Sequence, residues 1–398
     1  MADGPVIALV DGEHHPAAVR ETLDRVMAER GLAGVVFCGG QEKRPHGPLE
    51  DIYGRTVIDG PEEGLARLAP GATTVLDLAD EPPVPASRRL RLAALSMHLG
   101  LAYEAPGLRL DPPLYEQVAF AGLKLAVIGT AKRTGKTAVA GHWAGLLREG
   151  GRDPVMICMG RGGPPAPRLA EAGTALEDLL AIADRGEHAA SDYLEDAALA
   201  GVPAVGCRRV GGGPAGEPAH ANVAEGAALA TSLDPGVLIF EGSGACVPPI
   251  HVDRTVCVAG AGSGEPFAEY RALRADLVLA AEGSEIEGLR FRLEPEPAEA
   301  LPAAARVALF TTGAPAPEGI EPLVASADLA RRGPLAAALD RAVAERCDVY
   351  LTELKAGGVD TVARRARAEG ERVVFLRNRP VGLEEDLDAA LMGLVSDA

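Results

Sequence analysis

Short apolar runs alternate with stretches of helical spacing along the first part of the chain. Strand-like runs lie at residues 6–10, 34–38 and 74–78, and each one ends in a turn rich in aspartate or glycine. Helical patterns cover residues 17–29 and 87–99. Such alternation predicts a parallel sheet with helices on both faces. In sheets of this kind, ligands bind beyond the carboxyl ends of the strands.

A second α/β region follows a proline-rich connector. Residues 105–116 hold three prolines, which predicts a domain boundary. We therefore expect an N-terminal Rossmann-like domain over residues 1–121 and a second α/β domain over residues 122–398. Residues 294–305 are rich in Pro, Glu and Ala, which is typical of a solvated linker. The strands predicted for the second domain lie at residues 123–128, 155–159, 202–207, 237–240, 255–259, 277–280, 307–311, 349–352 and 373–376.

The net charge bounds the kinds of partner. With 39 basic and 57 acidic residues the chain has a formal charge of −18. This argues against nucleic acid or an anionic membrane as a partner, because both need a basic face. The chain has no apolar run of about 18 residues, so no transmembrane helix is predicted. Its first residues show no signal-peptide pattern, and the expected location is the cytoplasm.

The cysteine pattern predicts free thiols rather than disulfides or zinc ligands. The six cysteines are scattered, and none forms a C-x-x-C pair. This pattern supports neither a zinc site nor a set of disulfides. We expect reduced, mostly buried cysteines.

Lysine is rare in this chain. Five of the 39 basic residues are lysine and the others are arginine. In a chain that otherwise uses arginine, a lysine indicates a position that needs a compact ammonium group rather than a planar guanidinium group. The five lysines are Lys43, Lys124, Lys132, Lys136 and Lys355. For Lys43 and Lys355, the alternative interpretation is that a lysine was retained there by chance.

The strongest chemical signal is a glycine-rich loop between a strand and a helix. The loop G-T-A-K-R-T-G-K-T covers residues 129–137, and apolar residues at helical spacing follow it. This context predicts a P-loop, whose backbone N–H groups cradle phosphate oxygens. Lys136 would reach the β- and γ-phosphates of ATP, and Thr137 would bind Mg²⁺. The predicted nucleotide-binding residues are Gly129, Thr130, Thr134, Gly135, Lys136, Thr137 and Ala138.

The spacing of the loop departs from the usual form, because five residues rather than four separate its two glycines, Gly129 and Gly135.

Two further segments follow predicted strands. M-G-R-G-G-P-P places Arg161 on flexible backbone, which suits a phosphate or carboxylate, with a solvated turn as the alternative. The run V-L-I-F-E ends in Glu241, where a carboxylate would hold Mg²⁺.

An acidic stretch comes between these two segments. It contains Asp192, Glu195 and Asp196. A metal role for Asp192 is one interpretation, and a solvated helix with an acidic N-terminus is the favoured one.

Other cationic residues also follow strand-like runs. C-R-R-V-G-G-G holds Arg208 and Arg209, and T-E-L-K-A-G-G-V-D holds Lys355. Arginines beside glycines form a plausible anion pocket, and a surface turn is nearly as consistent with the pattern. For Lys355, the alternative is a Glu–Lys pair that opens a helix.

The end of the first predicted strand is crowded with polar residues. V-D-G-E-H-H-P contains Asp11, Glu13 and His14, and G-G-Q-E-K at the end of a neighbouring strand contains Lys43. Substrate binding, metal binding, proton transfer and a simple turn are all consistent with this pattern.

These motifs resemble known families. The loop is similar to that of dethiobiotin synthetases, and V-I-G-T-A-K-R-T-G-K-T-A-V more closely resembles archaeal cyclic 2,3-diphosphoglycerate synthetases. The pair Lys132-Arg133 is the distinguishing feature, while Ala131 stands where the family often has glycine. The segments around Asp11, Lys43, Arg161, Arg208 and Lys355 share in the resemblance, which therefore spans almost the whole chain.

The resemblance implies ATP-dependent ring closure of 2,3-diphosphoglycerate, with release of ADP and phosphate. It implies a P-loop NTPase domain over residues 122–398 and a substrate-side domain over residues 1–121. We expect ATP and Mg²⁺ as cofactors, a small acidic substrate and a homodimer. The catalytic residues it implies are Lys132, Arg133, Lys136, Arg161 and Glu241, with Thr137 and Glu241 at the metal. The substrate-binding residues it implies are Asp11, Glu13, His14, Lys43, Arg161, Arg208, Arg209 and Lys355.

Two other functions are consistent with the same residues. One is a related ligase or kinase that acts on another acidic metabolite, since arginine and lysine bind phosphate and carboxylate alike. The other is a nucleotide-switched chaperone or partitioning ATPase. Delivery of a metal by such a switch needs a Cys or His cluster, and the sequence motifs include none.

Overall fold

The computed structural model describes residues 4–44, 46–262 and 267–396. The chain divides into two compact units, Met1–Leu114 with Pro266–Arg274, and Tyr115–Glu265 with Ala275–Ala398. Each unit is built around its own sheet. Within the described residues, no helix is long and apolar enough to cross a membrane.

The first unit is an α/β sheet layered with helices. Its strands are β1 (Val6–Asp11), β2 (Leu32–Gly39), β3 (Val57–Asp59), β4 (Thr74–Asp77), β5 (Ala102–Ala105) and β6 (Leu108–Leu110). Its first helices are α1 (Pro16–Arg30), α2 (Leu49–Tyr53), α3 (Pro61–Leu68) and α4 (Ala86–His98), with short 3₁₀ turns at Gln41–Lys43 and Ala69–Gly71.

The strand order of this sheet is β3-β2-β1-β4-β5-β6, and all neighbours are parallel except β5 and β6. Strand β1 is fully buried, as expected for a central parallel strand. The order reverses between β1 and β4, so the carboxyl ends of these two strands flank the place where α/β sheets bind ligands.

The second unit contains the remaining strands and most of the remaining helices. Its strands are β7 (Leu123–Gly129), β8 (Pro154–Gly160), β9 (Arg168–Ala170), β10 (Ala204–Val210), β11 (His220–Ala221), β12 (Val237–Glu241), β13 (Arg254–Ala259), β14 (Leu277–Ala281), β15 (Leu289–Pro297), β16 (Val307–Phe310), β17 (Val324–Ser326), β18 (Val349–Glu353) and β19 (Arg372–Gly382). The helices that follow α4 are α5 (Lys136–Glu149), α6 (Leu176–Asp184), α7 (Asp192–Leu199), α8 (Val223–Thr231), α9 (Ala268–Leu273), α10 (Arg332–Ala344), α11 (Arg364–Glu369), which a π-helical turn at Gly358–Ala363 precedes, and α12 (Leu387–Ser396). Helix α9 belongs to the first unit.

The order of the larger sheet is β11-β10-β8-β12-β7-β13-β14-β15-β19-β18-β16-β17, with β9 paired to β10. The strands from β10 to β15 run parallel, so β7, β8, β10 and β12 end at one edge. Helix α5 packs on this sheet through Val139, Trp143 and Leu147, which are fully buried. The helical spacing read from the sequence is therefore confirmed, and so is the α/β fold with mostly parallel sheets.

The prediction of a solvated linker at residues 294–305 is wrong for its first part, because Leu289–Pro297 is a strand. It pairs antiparallel with β19, and Glu294 and Glu296 lie opposite Arg379 and Arg377. Ion pairs join these side chains across the two strands. The prolines alternate with the glutamates along the strand. Composition alone did not reveal the strand, because the arginines that pair with these glutamates come about 80 residues later in the chain.

Candidate functional site

The glycine loop between β7 and α5 is closed by its own lysine. Gly135 takes a φ of 98° directly before α5, a conformation that favours glycine. A Cβ on Gly129 would lie 2.7 Å from Thr134 Oγ1 and 2.8 Å from Lys136 Cδ, so the close approach here also requires glycine. Lys136 Nζ donates to the Ala131 carbonyl at 2.9 Å. Burial lowers the pKa of this lysine, while the charge of Glu241 opposes the shift.

The two predicted metal ligands, Thr137 at the start of α5 and Glu241 at the end of β12, lie side by side and form the predicted metal corner. Thr137 Oγ1 donates to Glu241 Oε1 at 2.6 Å, and Glu241 is 1% exposed. Burial, and then the charge of Asp192, raise the pKa of Glu241 to about 8. Among the described residues, Glu241 Oε2 is buried without a hydrogen-bond partner. A hydroxyl and a carboxylate are oxygen ligands that suit Mg²⁺, and the unpartnered oxygen fits a cation there.

The expectation of a solvated acidic helix is wrong for α7. Glu195 and Asp196 are buried, at 9% and 2% exposed, because α7 packs against β8, β10 and α5. Burial raises the pKa of Glu195 to about 7, although the nearby Lys355 lowers it. Lys355 Nζ lies 3.4 Å from Glu195 Oε1. Burial also raises the pKa of Asp192, against the charges of Lys355 and then Lys136.

Two of the predicted basic residues meet at the turn after β12. Gly244 has a φ of 63°. A Cβ at this position would collide with Arg161 Nη2 and would lie 3.4 Å from Lys132 Cγ. The two cationic side chains therefore converge on this turn, next to the metal corner. Lys132 and Arg133 are exposed on the glycine loop, and Arg133 has a φ of 60°.

The arginines at the end of β10 hold neighbouring loops in place. Arg209 is 6% exposed and donates to the carbonyls of Gly211 at 2.7 Å and Ser243 at 2.9 Å. Burial lowers its pKa, and the charge of Arg161 contributes to the shift. Arg208 Nε donates to the Gly163 carbonyl at 2.9 Å. These contacts join the end of β10 to the turns that carry Arg161 and Gly244.

Asn222 is a residue that the sequence motifs missed. Its Oδ1 accepts from the Arg208 backbone N–H at 2.6 Å, and its Nδ2 donates to the Pro165 carbonyl at 3.2 Å. It thereby connects the segment of Arg161 to β10. A signal was available, because the chain has only two asparagines, Asn222 and Asn378. Asparagine is rarer in this chain than lysine, so its rarity marks Asn222 in the same way.

The polar turn of the first unit is built around Asp11. The buried carboxylate accepts from the backbone N–H groups of Glu13 at 3.0 Å, His14 at 3.3 Å and Asp80 at 2.6 Å. His14 Nδ1 lies 2.8 Å from Asp11 Oδ1, and the imidazole is 40% exposed. Lys43 Nζ pairs with Glu13 at 2.6 Å. The structure thus brings these four predicted residues together at the carboxyl end of β1.

The predicted site residues form two groups. The group of the second unit includes the glycine loop together with Lys132, Arg161, Arg208, Arg209, Glu241 and Lys355. The group of the first unit consists of Asp11, Glu13, His14 and Lys43. All six cysteines lie within the described residues outside any disulfide and are buried, and their burial agrees with the prediction.

Family models match three parts of this chain. The P-loop domain of cyclic 2,3-diphosphoglycerate synthetase matches residues 124–286, the N-terminal domain matches residues 5–111, and the C-terminal domain matches residues 317–379. The loop at residues 129–137 lies within the first of these matches. The P-loop assignment read from the sequence is therefore confirmed.

Curated relatives match the chain over nearly its full length. A cyclic 2,3-diphosphoglycerate synthetase of Rubrobacter xylanophilus is 40% identical, with 98% of this chain and 97% of the relative covered. One of Methanothermobacter thermautotrophicus is 34% identical, with 99% and 96% covered. A crystal structure of a duf1611 family protein from Anabaena variabilis covers 71% of this chain and 75% of its own, at 13% identity and with a TM-score of 0.19. The identities and coverage of these relatives, together with the three matched domains, place this chain in the cyclic 2,3-diphosphoglycerate synthetase family.

Proposed function

We propose that this chain is an ATP-dependent synthetase that closes a phosphoanhydride ring within 2,3-diphosphoglycerate. The products are cyclic 2,3-diphosphoglycerate, ADP and inorganic phosphate. The printed names of the relatives support this proposal. The observation that carries it is the convergence of Lys132 and Arg161 on the turn at Gly244, beside the phosphate loop and Glu241.

The glycine loop binds ATP in this proposal. Its backbone N–H groups and the N-terminus of α5 hold phosphate oxygens, and Lys136 leaves the Ala131 carbonyl to neutralise charge on the β- and γ-phosphates. Thr137 and Glu241 hold Mg²⁺. When bound, the ion neutralises phosphate charge that develops during transfer. The unpartnered Glu241 oxygen supports this placement.

The substrate carries roughly five negative charges, so its binding beside ATP needs several cations. Lys132, Arg133 and Arg161 supply them nearest the γ-phosphate. Lys355, Arg208 and Arg209 complete the cationic set of the second unit. The substrate-binding residues assigned to the first unit are Asp11, Glu13, His14 and Lys43.

The chemistry has two steps. An oxygen of one substrate phosphate attacks the γ-phosphorus of ATP, and ADP leaves. The other substrate phosphate then attacks the phosphorus of the activated one, which closes the ring and releases inorganic phosphate. Positioning and neutralisation of charge provide most of the catalysis. The bridging oxygen leaves with the former γ-phosphate.

The proposal includes three further parts. The domain of residues 1–121 contributes to the substrate side, and the domain of residues 122–398 contributes ATP binding and catalysis. The absence of a membrane-spanning helix in the described residues is consistent with action in the cytoplasm. The assembly is a homodimer, as expected from the resemblance.

ADP release by the full-length protein tests this function. With ATP and Mg²⁺ we expect ADP only when 2,3-diphosphoglycerate is present, because the γ-phosphate needs a positioned acceptor. The matched control is 3-phosphoglycerate, which lacks the second phosphate and cannot close a ring. Equal ADP release with either compound, or with no substrate, contradicts the proposal.

A further inference from the structure

A buried thiol lies beside the carboxylate assigned to Mg²⁺. Within the described part of the chain, Cys158 of β8, Asp196 of α7 and Glu241 of β12 place one ligand atom each within 4.8 Å of one another. All three residues are buried. Cys158 Sγ donates to Asp196 Oδ2 at 3.2 Å. Three separate elements thus bring a sulfur and two carboxylates to one point.

A second observation indicates that this cluster accommodates a ligand. Glu241 is 1% exposed, and its Oε2 has no hydrogen-bond partner among the described residues. Buried polar atoms in native proteins are normally paired. A cation held by this oxygen would satisfy it.

The cluster is also connected to a cavity. A cavity of about 280 Å³ lies along one face of α5. Thr137, Gly141, Glu195 and Asp196 are among the residues that line it. A Cβ on Gly141 would lie 3.1 Å from Asp196 Oδ1, so glycine keeps this approach open. The cavity therefore gives a metal ion access to Asp196, the member of the cluster that lines it.

The ligand set does not match Mg²⁺, which prefers oxygen. A cysteine thiolate with two carboxylates suits a thiophilic divalent cation such as Zn²⁺. We propose that Cys158, Asp196 and Glu241 form a site for a thiophilic divalent cation, which shares Glu241 with the Thr137–Glu241 magnesium corner and differs from it in Cys158 and Asp196. Binding displaces the thiol proton of Cys158 and any proton held by the two carboxyl groups, and these protons are released to solvent.

Glu241 belongs to both sites. A cation bound by Cys158, Asp196 and Glu241 therefore affects the binding of Mg²⁺. A carboxylate held by Zn²⁺ beside Cys158 is not available to Mg²⁺ at Thr137. Zinc therefore inhibits magnesium-supported turnover. The binding claim stands on the three side chains alone, and only the inhibition claim rests on the proposed function.

Cobalt binding tests the site without any turnover. Co²⁺ is added to the full-length protein without Mg²⁺, and the near-ultraviolet sulfur-to-cobalt charge-transfer band is recorded. We expect the band in the parent protein and its loss in Cys158→Ser, because serine keeps a hydrogen-bond donor to Asp196 but provides no thiolate. Cys38→Ser is the matched control. Cys38 is also buried and donates to the Val10 carbonyl at 3.2 Å, and this variant should keep the band.

The result that overturns the site is a parent protein without the band, or a folded Cys158→Ser variant that keeps it. If Cys158→Ser fails to fold by circular dichroism, Asp196→Asn serves instead. The amide is a much poorer metal ligand than a carboxylate, so we expect at least a tenfold weaker Co²⁺ affinity. Unchanged affinity in this variant also overturns the site.

Zinc inhibition is the second arm. At fixed Mg²⁺, we expect the zinc concentration that halves ADP release to rise at least tenfold in Cys158→Ser and to stay unchanged in Cys38→Ser. Equal inhibition of parent and Cys158→Ser overturns the inhibitory role. Failure of the proposed function would appear as missing turnover in the parent protein without zinc, while the cobalt band would still report the site.

Discussion

Each unit of this protein has an acid at the carboxyl end of a buried parallel strand, and the two acids have different surroundings. Asp11 ends β1, and its carboxylate accepts from Glu13, His14 and Asp80. Glu241 ends β12, and one of its oxygens accepts from Thr137. Within the described residues, the other oxygen has no partner.

The difference separates a carboxylate whose hydrogen bonds are completed within the chain from one that keeps an oxygen without a partner among the described residues. Asp11 is satisfied by the chain itself, so it fixes the loop and leaves His14 partly exposed. One oxygen of the buried Glu241 side chain has no hydrogen-bond partner among the described residues, and an unpaired buried polar atom costs about 1–3 kcal/mol. Sequence position alone made the two acids look alike. Their hydrogen-bond partners distinguish them.

Removal of Lys136, which lies at the same site as Glu241, should have the largest effect on turnover. For Lys136→Ala we expect kcat to fall by about 10²–10³-fold, because a positioned charge on the transferred phosphate is lost. Lys124→Ala is the matched control, since Lys124 lies on β7 and its ammonium is 3.5 Å from Asp253. Steady-state ADP release measures both. A folded Lys136→Ala variant with the turnover of Lys124→Ala would remove the P-loop lysine from catalysis.

Truncation of Asp11 should damage the structure of the first unit. Asp11→Ala leaves several N–H groups without an acceptor, so the free energy of unfolding should fall by about 2–3 kcal/mol. The control is Asp59→Ala, because Asp59 is half exposed and pairs with Arg44 at the surface. That change should cost less than about 1 kcal/mol. Urea unfolding measures both, and equal losses would contradict the turn-building role of Asp11.

Arg161→Met should affect the acidic substrate more than ATP. We expect KM for the substrate to rise, or kcat to fall, by about 10–100-fold, since a hydrogen bond to a charged group contributes about 1.5–3 kcal/mol. ATP affinity should change little. Arg168→Met is the control, because the Arg168 guanidinium pairs with Glu187 instead. A defect confined to ATP binding would assign Arg161 to the nucleotide.

The smallest effect concerns pH and the ligand-free protein. The pKa of Glu241 rises from its ordinary value of 4.5 to about 8 through burial. In this window the folded protein keeps a proton that the unfolded chain releases, so stability falls as pH rises from 4.5 to 8. The slope contributed by this group is at most about 1.4 kcal/mol per pH unit.

Glu241→Gln should therefore flatten the dependence of the free energy of unfolding on pH in the absence of Mg²⁺. Urea unfolding at pH 6, 7 and 8 checks this. Identical slopes for the parent protein and the variant would show that Glu241 is not held in its protonated form. Added Mg²⁺ should stabilise the parent protein and have little effect on the variant.

Local patterns carried most of what the sequence predicted. The loop at residues 129–137 was recognisable because a strand, a run of glycines and a helix adjoin in the chain. The burial of Asp196 was not recognisable, since it depends on how α7 packs against β8 and α5. The proximity of Cys158 to Glu241 also comes from the order of strands in the sheet. The strand Leu289–Pro297 was missed because its partners lie in β19, far along the chain.

Ring closure can be observed by phosphorus NMR with ATP, Mg²⁺ and 2,3-diphosphoglycerate that carries ¹⁸O in its phosphate groups. We expect two mutually coupled signals of an anhydride within one molecule. We also expect inorganic phosphate that contains one ¹⁸O, because the bridging oxygen leaves with the former γ-phosphate. Unlabelled inorganic phosphate without new coupled signals would show simple hydrolysis of ATP and would rule out ring closure by this protein.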